Sequence, residues 1–467
     1  MTAPGGLTPQ ETVERALAMS KADGCVVIAT EQFQTNLRWA LNTLTTNGEM
    51  RSRQLSVISF VNGAAGMAAG VVERSAVTAD TLEELVRASE QTARDAGPAD
   101  DVAPLVEPHD AADDWAAPPV PTSVGVFSAF APALGQAFGR AAADNRVLFG
   151  FAEHTVANHY LGSSTGLRRR HVQPTGKVEI NGKSPDFVRS AWAGRATRDF
   201  TDIDVTALDA ELAQRLAWAE RSVDLPAGRY ETLLPPSAVA DLMYYLYSSA
   251  GARDADEGRT VFSKAGGGTR IGERLSEIPI TLRSGPTEPG LEAAPFMVTT
   301  ASYGGIASVF DNGQPIGPSD WIRSGELVDL IRTRAWAERT GATPRPWGDN
   351  LVLDAPPGGR PLAEMIGSTE RGLLATSLWY IREVDPQTLL LTGLTRDGVY
   401  LVEGGEVTGA VNNFRWNESP VDLLGRLTEV GSTERCLPRE WNDFFTRTAM
   451  PPLRVPDFNM STVSKAS

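Results

Sequence analysis

The sequence predicts an α+β, β-rich multidomain protein in which antiparallel sheets are flanked by helices. Three observations carry that expectation. Long stretches such as "RVLFGFAEHTVANHYLG" alternate and are rich in β formers, which is the period-two signature of strands. Turn signals recur between such stretches, at Asn47-Gly48, Asn62-Gly63, Asp311-Asn312-Gly313, Asp397-Gly398 and Gly404-Gly405. Finally, the chain has 467 residues, 42% apolar and only 22% charged, enough to bury sizeable cores in two or three domains.

The elements follow in order. "LTPQETVERALAMSKA" opens a helix: Thr8 is placed to cap it, Pro9 suits the first helical position, and Glu11 completes a capping box. "CVVIATEQFQTNLRWALNTLTTNGEMRSRQLSVISFVNGAAGMAAGVV" reads as a small antiparallel sheet. Asp80 is the expected cap of a helix carrying Leu82, Leu85, Val86 and Ala93 on one face. Residues 1–96 are thus predicted to form an N-terminal α+β domain.

Between Gly97 and Pro121 prolines and acidic residues crowd together, and no Lys or Arg lies between Arg94 and Arg140, so residues 97–122 read as an acidic, proline-rich linker or loose surface excursion. Residues 123–224 form a middle α+β region expected to pack with the N-terminal domain. It opens on the helix-like "SAFAPALGQAFGRAAADN" and closes on a helix carrying Leu208, Leu212, Leu216 and Ala219. Residues 225–467 are predicted as a β-rich C-terminal domain. "LLPPSAVADLMYYLY" there reads as a strand running into a helix, with Ser237 as a plausible cap, and "TLLLTGLTRDGVYLVEGGEVTGAV" as three consecutive antiparallel strands.

Composition excludes some classes of function. A formal charge of −15 argues against a nucleic-acid backbone or an anionic membrane as the main partner. Two distant cysteines, Cys25 and Cys436, make no disulfide framework and fit a reducing compartment. The first residues lack a basic n-region and a long apolar core, and no run reaches the length of a membrane span. A cytoplasmic protein is the expectation.

Candidate chemistry is sparse. Gly162-Ser163-Ser164-Thr165-Gly166 matches the nucleophile-elbow pattern at Ser164, yet a strand-like stretch follows it where an elbow needs a helix, so a structural turn is expected. The glycine-rich Gly266–Gly272 lacks the spacing of a phosphate loop, and the basic run Arg168–His171 reads as a strand face with local ion pairs. His154 and His159 stand five apart, which on a strand places the imidazoles on opposite faces; a metal site using His154, His159 and Cys436 remains an alternative. Cys25, inside "CVVIAT", is expected to be core.

Several segments in order resemble the TldD/PmbA family, and within it the PmbA (TldE) branch: "QTNLRWALNTLTTNG" with "GMAAGVV", "YLGSSTGLRRR", "LPAGRYETLLPPSAVADLMYYL" with "GTRIGERLSEIPITL", "DGVYLVEGGEVTGAV" and "MPPLRVPDFNMS". The similarity runs through nearly the whole chain from about residue 25 and implies a two-lobed architecture. It also implies a cytoplasmic two-subunit zinc metallopeptidase that cleaves small or unfolded peptides. The TldD-type catalytic subunit holds zinc on an H-E-x-x-x-H helix and a later Cys, while the TldE-type subunit lacks those ligands and completes the assembly.

Carried onto this chain, the zinc motif falls between Leu234 and Leu242 in one of two frames. One places its His, Glu and His positions on Pro235, Pro236 and Ala240; the other on Pro236, Ser237 and Asp241. Neither supplies an imidazole, and Cys436 lies near the position of the later Cys. The resemblance therefore implies a non-catalytic subunit with no cofactor of its own, zinc in a TldD-type partner, and peptides as ligands. Two alternatives stand beside it: a metallopeptidase in its own right, or a homodimeric peptide-binding module.

Overall fold

The computed structural model describes residues 7–109 and 114–464. The leader reading of the first residues, and the part of the acidic stretch at 110–113, lie outside them. Helix α1 (Pro9–Met19) starts as its sequence requires: the Thr8 hydroxyl accepts the Glu11 N–H, and the Glu11 carboxylate accepts the Thr8 N–H at 2.8 Å. Strands β1 (Gly24–Ala40), β2 (Thr43–Gly63) and β3 (Gly66–Ser75) follow, then helix α2 (Leu82–Asp95), which begins after Thr81 with no side-chain cap in place of the expected Asp80.

The turn chemistry differs from the sequence expectation. β1 and β2 are joined at Leu41-Asn42, both left-handed with φ of 52° and 59°. Asn47 and Gly48 lie inside β2, opposite Leu37 and Asn36. Two consecutive left-handed residues match the twist of the flanking strands, and that requirement is met here without a glycine.

After α3 (Phe130–Ala143) come β4 (Val147–Ser163), β5 (Arg168–Lys183), β6 (Ser190–Thr197) and α4 (Val205–Trp218). The sheet is not a small one. Its order is β3-β2-β1-β4-β5-β6, so strands from both sides of the acidic stretch join in one six-stranded antiparallel layer. Pairing across the sheet sorts its side chains. Val27, Ala29, Leu37 and Trp39 face the helices, in cores shared with Val13, Leu85, Leu134 and Leu212. Val26, Ile28, Ile58 and Phe60 face the other way, packing with Phe296, Val309 and Phe310 of the C-terminal part.

The acidic stretch is fastened along this sheet. The Asn158 amide pairs with both backbone groups of Val120, at 2.7 and 3.0 Å, and the Tyr160 hydroxyl donates to the Ala117 carbonyl at 2.7 Å. The prolines here supply no N–H groups for a ladder, and buried side chains of β4 take up the carbonyls of Ala117 and Val120 beside them.

The C-terminal part carries β7 (Ser222–Val223), β8 (Gly228–Leu234) and α5 (Pro236–Ser248). β8 lies inside a seven-stranded sheet, between Leu453–Met460 and Arg371–Ala375, and two smaller sheets complete the part. Helix α5 is buried in the largest core through Val239, Leu242, Met243 and Leu246. Residues 390–411 do form three strands, but not one meander. Leu390–Thr395 pairs with Phe414–Glu418 in a four-stranded sheet, whereas Val399–Glu403 pairs with Arg371–Ala375 in the seven-stranded one. The left-handed Asp397 (φ 51°) and Gly398 (φ 136°) carry the chain from one sheet to the other. No helix among the described residues is long and apolar enough to cross a membrane.

Candidate functional site at the β8–α5 junction

β8 ends at Leu234 and α5 begins at Pro236, with Pro235 extended between them (φ −66°, ψ 163°). Proline fits the first helical position because its fixed φ is already helical. It also removes N–H groups from the end of the helix where an anion or an oxyanion would otherwise bind. Ser237 does not cap: it lies within the first turn, and its hydroxyl donates to the Leu437 carbonyl at 2.6 Å. Ala240 is buried in the core.

Asp241 is fully buried, and its carboxylate accepts the backbone N–H groups of Arg439, Glu440 and Trp441 at 3.1, 2.9 and 3.4 Å. Burial drives this carboxyl well above the usual range, while the three N–H donors pull against it. The Glu440 side chain continues the chain of contacts, accepting the N–H groups of Tyr380 and Ile381. Asp241 thus shapes the loop of residues 437–445 and has no free oxygen directed at a substrate.

Cys436 stands beside the junction. Its Sγ lies 3.5 Å from the Pro236 carbonyl and 3.3 Å from Thr448 Oγ1, and burial pushes the thiol up to about 12. Above these residues opens a cleft of about 700 Å³, walled by Trp192 and Arg195 of β6, Trp218 at the end of α4, Pro235 to Ser237, and Glu434 to Leu437. β6 and Glu434–Cys436 are each the last strand of their sheet. Glu211 in the wall is pushed upward by burial, yet Arg215 and Arg195 hold it below the ordinary carboxylate range.

The other sequence candidates lie apart from this cleft. His154 and His159 fall on opposite faces of β4, as their spacing requires. His154 bonds Thr122 Oγ1 at 2.7 Å and the Arg198 carbonyl at 2.8 Å on the helix-bearing face. His159 bonds Thr30 Oγ1 at 3.0 Å and lies opposite His171 on the face toward the C-terminal part. The Ser164 hydroxyl accepts the Cys25 N–H at 3.0 Å, which marks a turn. Arg168 pairs with Glu14, and Arg170 with Asp114. Burial pushes the Cys25 thiol up to about 11.

Among the described residues no three His, Cys, Asp or Glu side chains come together to hold a metal ion. At the junction only Cys436 offers a soft donor, its neighbours being two prolines, a serine tied to a carbonyl, an alanine, and Asp241, whose carboxylate is taken up by three backbone N–H groups. That set does not fit zinc, which takes three or four Cys, His or carboxylate ligands. Sequence reasoning missed Arg439, a buried guanidinium that bonds Ser377 and Asp397 and lies over the rings of Trp192 and Trp379 at 5.2 and 5.0 Å. The available signal was "PREWND", a charged and aromatic run immediately after Cys436-Leu437.

A family model described as the PmbA/TldA metallopeptidase C-terminal domain matches residues 227–462, just over half of the chain. No curated protein matches the sequence. Among solved structures, TldE from Thermococcus kodakarensis is similar at 17% identity, covering 96% of this chain and 98% of that one, with a TM-score of 0.77. A putative modulator of a DNA gyrase from Thermotoga maritima is also 17% identical, with coverages of 96% and 99% and a TM-score of 0.75. A putative modulator of DNA gyrase from Bacteroides thetaiotaomicron, 15% identical, has coverages of 97% and 98% and a TM-score of 0.74. These likenesses show a shared fold, and with the family match the chain belongs to the TldD/PmbA family.

Proposed function

We propose that this chain is the non-catalytic, TldE-type subunit of a heteromeric zinc metallopeptidase that acts in the cytoplasm on small or unfolded peptides. Its role is to stabilise a TldD-type catalytic subunit and to help enclose the peptide. One observation carries the reading. The strand-to-helix junction opens on a cleft as a catalytic junction would, but Pro235, Pro236, Ser237, Ala240 and Asp241 stand there, and the polar ones among them are spent on holding the 437–445 loop. The name of the Thermococcus neighbour agrees with this branch. Two terminal strands flanking the cleft suit an extended peptide, which adds to a sheet edge by backbone hydrogen bonds with little sequence preference.

The test is metal analysis and cleavage of a denatured peptide by the purified chain, alone and after co-expression with a TldD-type subunit. Alone it should hold well under one zinc per chain and cleave nothing; together the pair should cleave. Stoichiometric zinc in the isolated chain, lost in His154→Ala, would replace this reading with a self-sufficient metallopeptidase. Peptide binding without any association with a TldD-type subunit would favour a homodimeric binding module.

A further inference from the structure

Where the N-terminal sheet meets the 437–445 loop, three side chains form an arrangement that the cleft does not use. Lys177 on β5 is 6% exposed, and its Nζ lies 2.6 Å from Asn442 Oδ1. Asn442 is 8% exposed and donates through Nδ2 to the Glu179 carboxylate at 3.2 Å and to the Arg439 carbonyl at 2.6 Å. Glu179 stands two residues after Lys177, so both leave the same face of β5. Trp192 Nε1 donates to the same Glu179 oxygen at 3.0 Å, and the Arg439 guanidinium covers the Trp192 ring. Lys177 also ion-pairs with the exposed Asp443.

We infer that Lys177, Glu179 and Asn442 form a self-processing site that joins Lys177 Nζ to Asn442 Cγ in an intramolecular isopeptide bond. The residue types are those the chemistry needs: an amine, a carboxamide with a leaving nitrogen, and a carboxyl in contact with that nitrogen. Burial raises Glu179 above the ordinary carboxylate range, which suits a group that must first accept a proton and then return it.

The step balances within the chain. Glu179 takes a proton from the Lys177 ammonium, and the freed lone pair attacks Asn442 Cγ, forming the C–N bond as the carbonyl π electrons move to Oδ1. Glu179 then hands its proton to Nδ2. The Cγ–Nδ2 bond breaks and the carbonyl re-forms. Glu179 takes the second proton from Nζ, leaving a neutral amide N–H, and the amide nitrogen departs as ammonia that carries this proton away as ammonium. No oxidant, metal or second substrate enters. Holding the amine against the carboxamide converts a very slow bimolecular aminolysis into an intramolecular one, the effect that makes proximity so large a rate factor. The product would tie β5 covalently to the loop that Asp241 shapes, fixing the N-terminal sheet against the C-terminal part. This goes beyond the subunit role proposed above and stands or falls separately from it.

Mass spectrometry of the denatured full-length chain tests it. The bond makes the chain about 17 Da lighter than its sequence, one ammonia, and a protease digest yields a branched peptide containing Lys177 and Asn442. Glu179→Gln and Asn442→Ala should each restore the sequence mass, and Glu179→Gln should do so while the fold persists by circular dichroism. A wild-type chain at its sequence mass, with Lys177 open to trypsin, would overturn the inference. So would a loss of about 18 Da mapped to Asp443, which would place a different bond through water loss.

Discussion

Two parts of the molecule present exposed or potentially reactive backbone in opposite ways. In the loop of residues 437–445, nearly every polar group finds a partner inside the chain: Asp241 takes three of its N–H groups, Ser237 takes the Leu437 carbonyl, and Arg439 reaches Ser377 and Asp397. In the arm of the β1–β2 hairpin, β3 reaches back only to Ser75 opposite Gln54, and Leu41, Leu44 and Met50 are 57%, 47% and 52% exposed. The hydrogen bonds of the first region tie α5 to the 437–445 loop as a joint. The second has no role in that joint. Stability should therefore be concentrated in the loop, and substitution should be cheap in the arm.

The largest effect is expected at Asp241. Asp241→Ala strands three N–H groups, one buried and two half-buried, and should cost about 3 kcal/mol, read as a fall in urea midpoint and melting temperature. Asp241→Asn keeps one acceptor oxygen and should cost less. If Asp241 were a base waiting for a substrate, both variants would leave stability nearly unchanged, and the contrast between loop and arm would fail.

That contrast was only half legible in the sequence. The capping box at Thr8 and Glu11, the strands β4 and β5 and the buried face of α5 follow from local pattern, because each is decided by residues a few positions apart. The point where α5 begins was legible from Pro235 and Pro236. What holds Asp241 was not, since its donors lie about 200 residues away and no local period encodes that pairing. The split of residues 390–411 between two sheets was hidden for the same reason: the strands themselves are local, while their partners are not. The hairpin turn misled because Asn47-Gly48 is the stronger local signal, yet the register with β1 places the reversal at Leu41-Asn42. The linker expectation rested on prolines and charge, whereas the residues that fasten the stretch, Asn158 and Tyr160, belong to a strand far from it.

A pH titration of stability probes the sheet between these two regions. Burial first, and the neighbouring His171 second, push His159 down to about 4. In the unfolded chain an imidazole titrates near 6.5, so between these values the unfolded state holds the extra proton. Stability should accordingly be complete above about pH 6.5 and fall as pH drops toward about 4, by at most about 3 kcal/mol for this group. His154 and His171 are also lowered, chiefly by burial, and act with the same sign. His159→Asn should remove part of the slope and leave the rest. An unchanged slope would mean that the imidazole is hydrated in the folded state.

The smallest effect is expected in the arm. Leu41 is left-handed at φ 52° and more than half exposed, so it pays conformational strain with little packing in return. Leu41→Asn places a residue that tolerates this conformation at the first position of the two-residue turn, and Asn42 already occupies the second. The variant should be more stable by about 0.5–1 kcal/mol, seen as a higher urea midpoint with the same denaturant slope. The same substitution type inside the loop, at Leu437, removes a fully buried side chain and should lose several times that amount. A loss of stability in Leu41→Asn would show that the exposed leucine is held by contacts in solution, and the arm would then have to be counted with the joint.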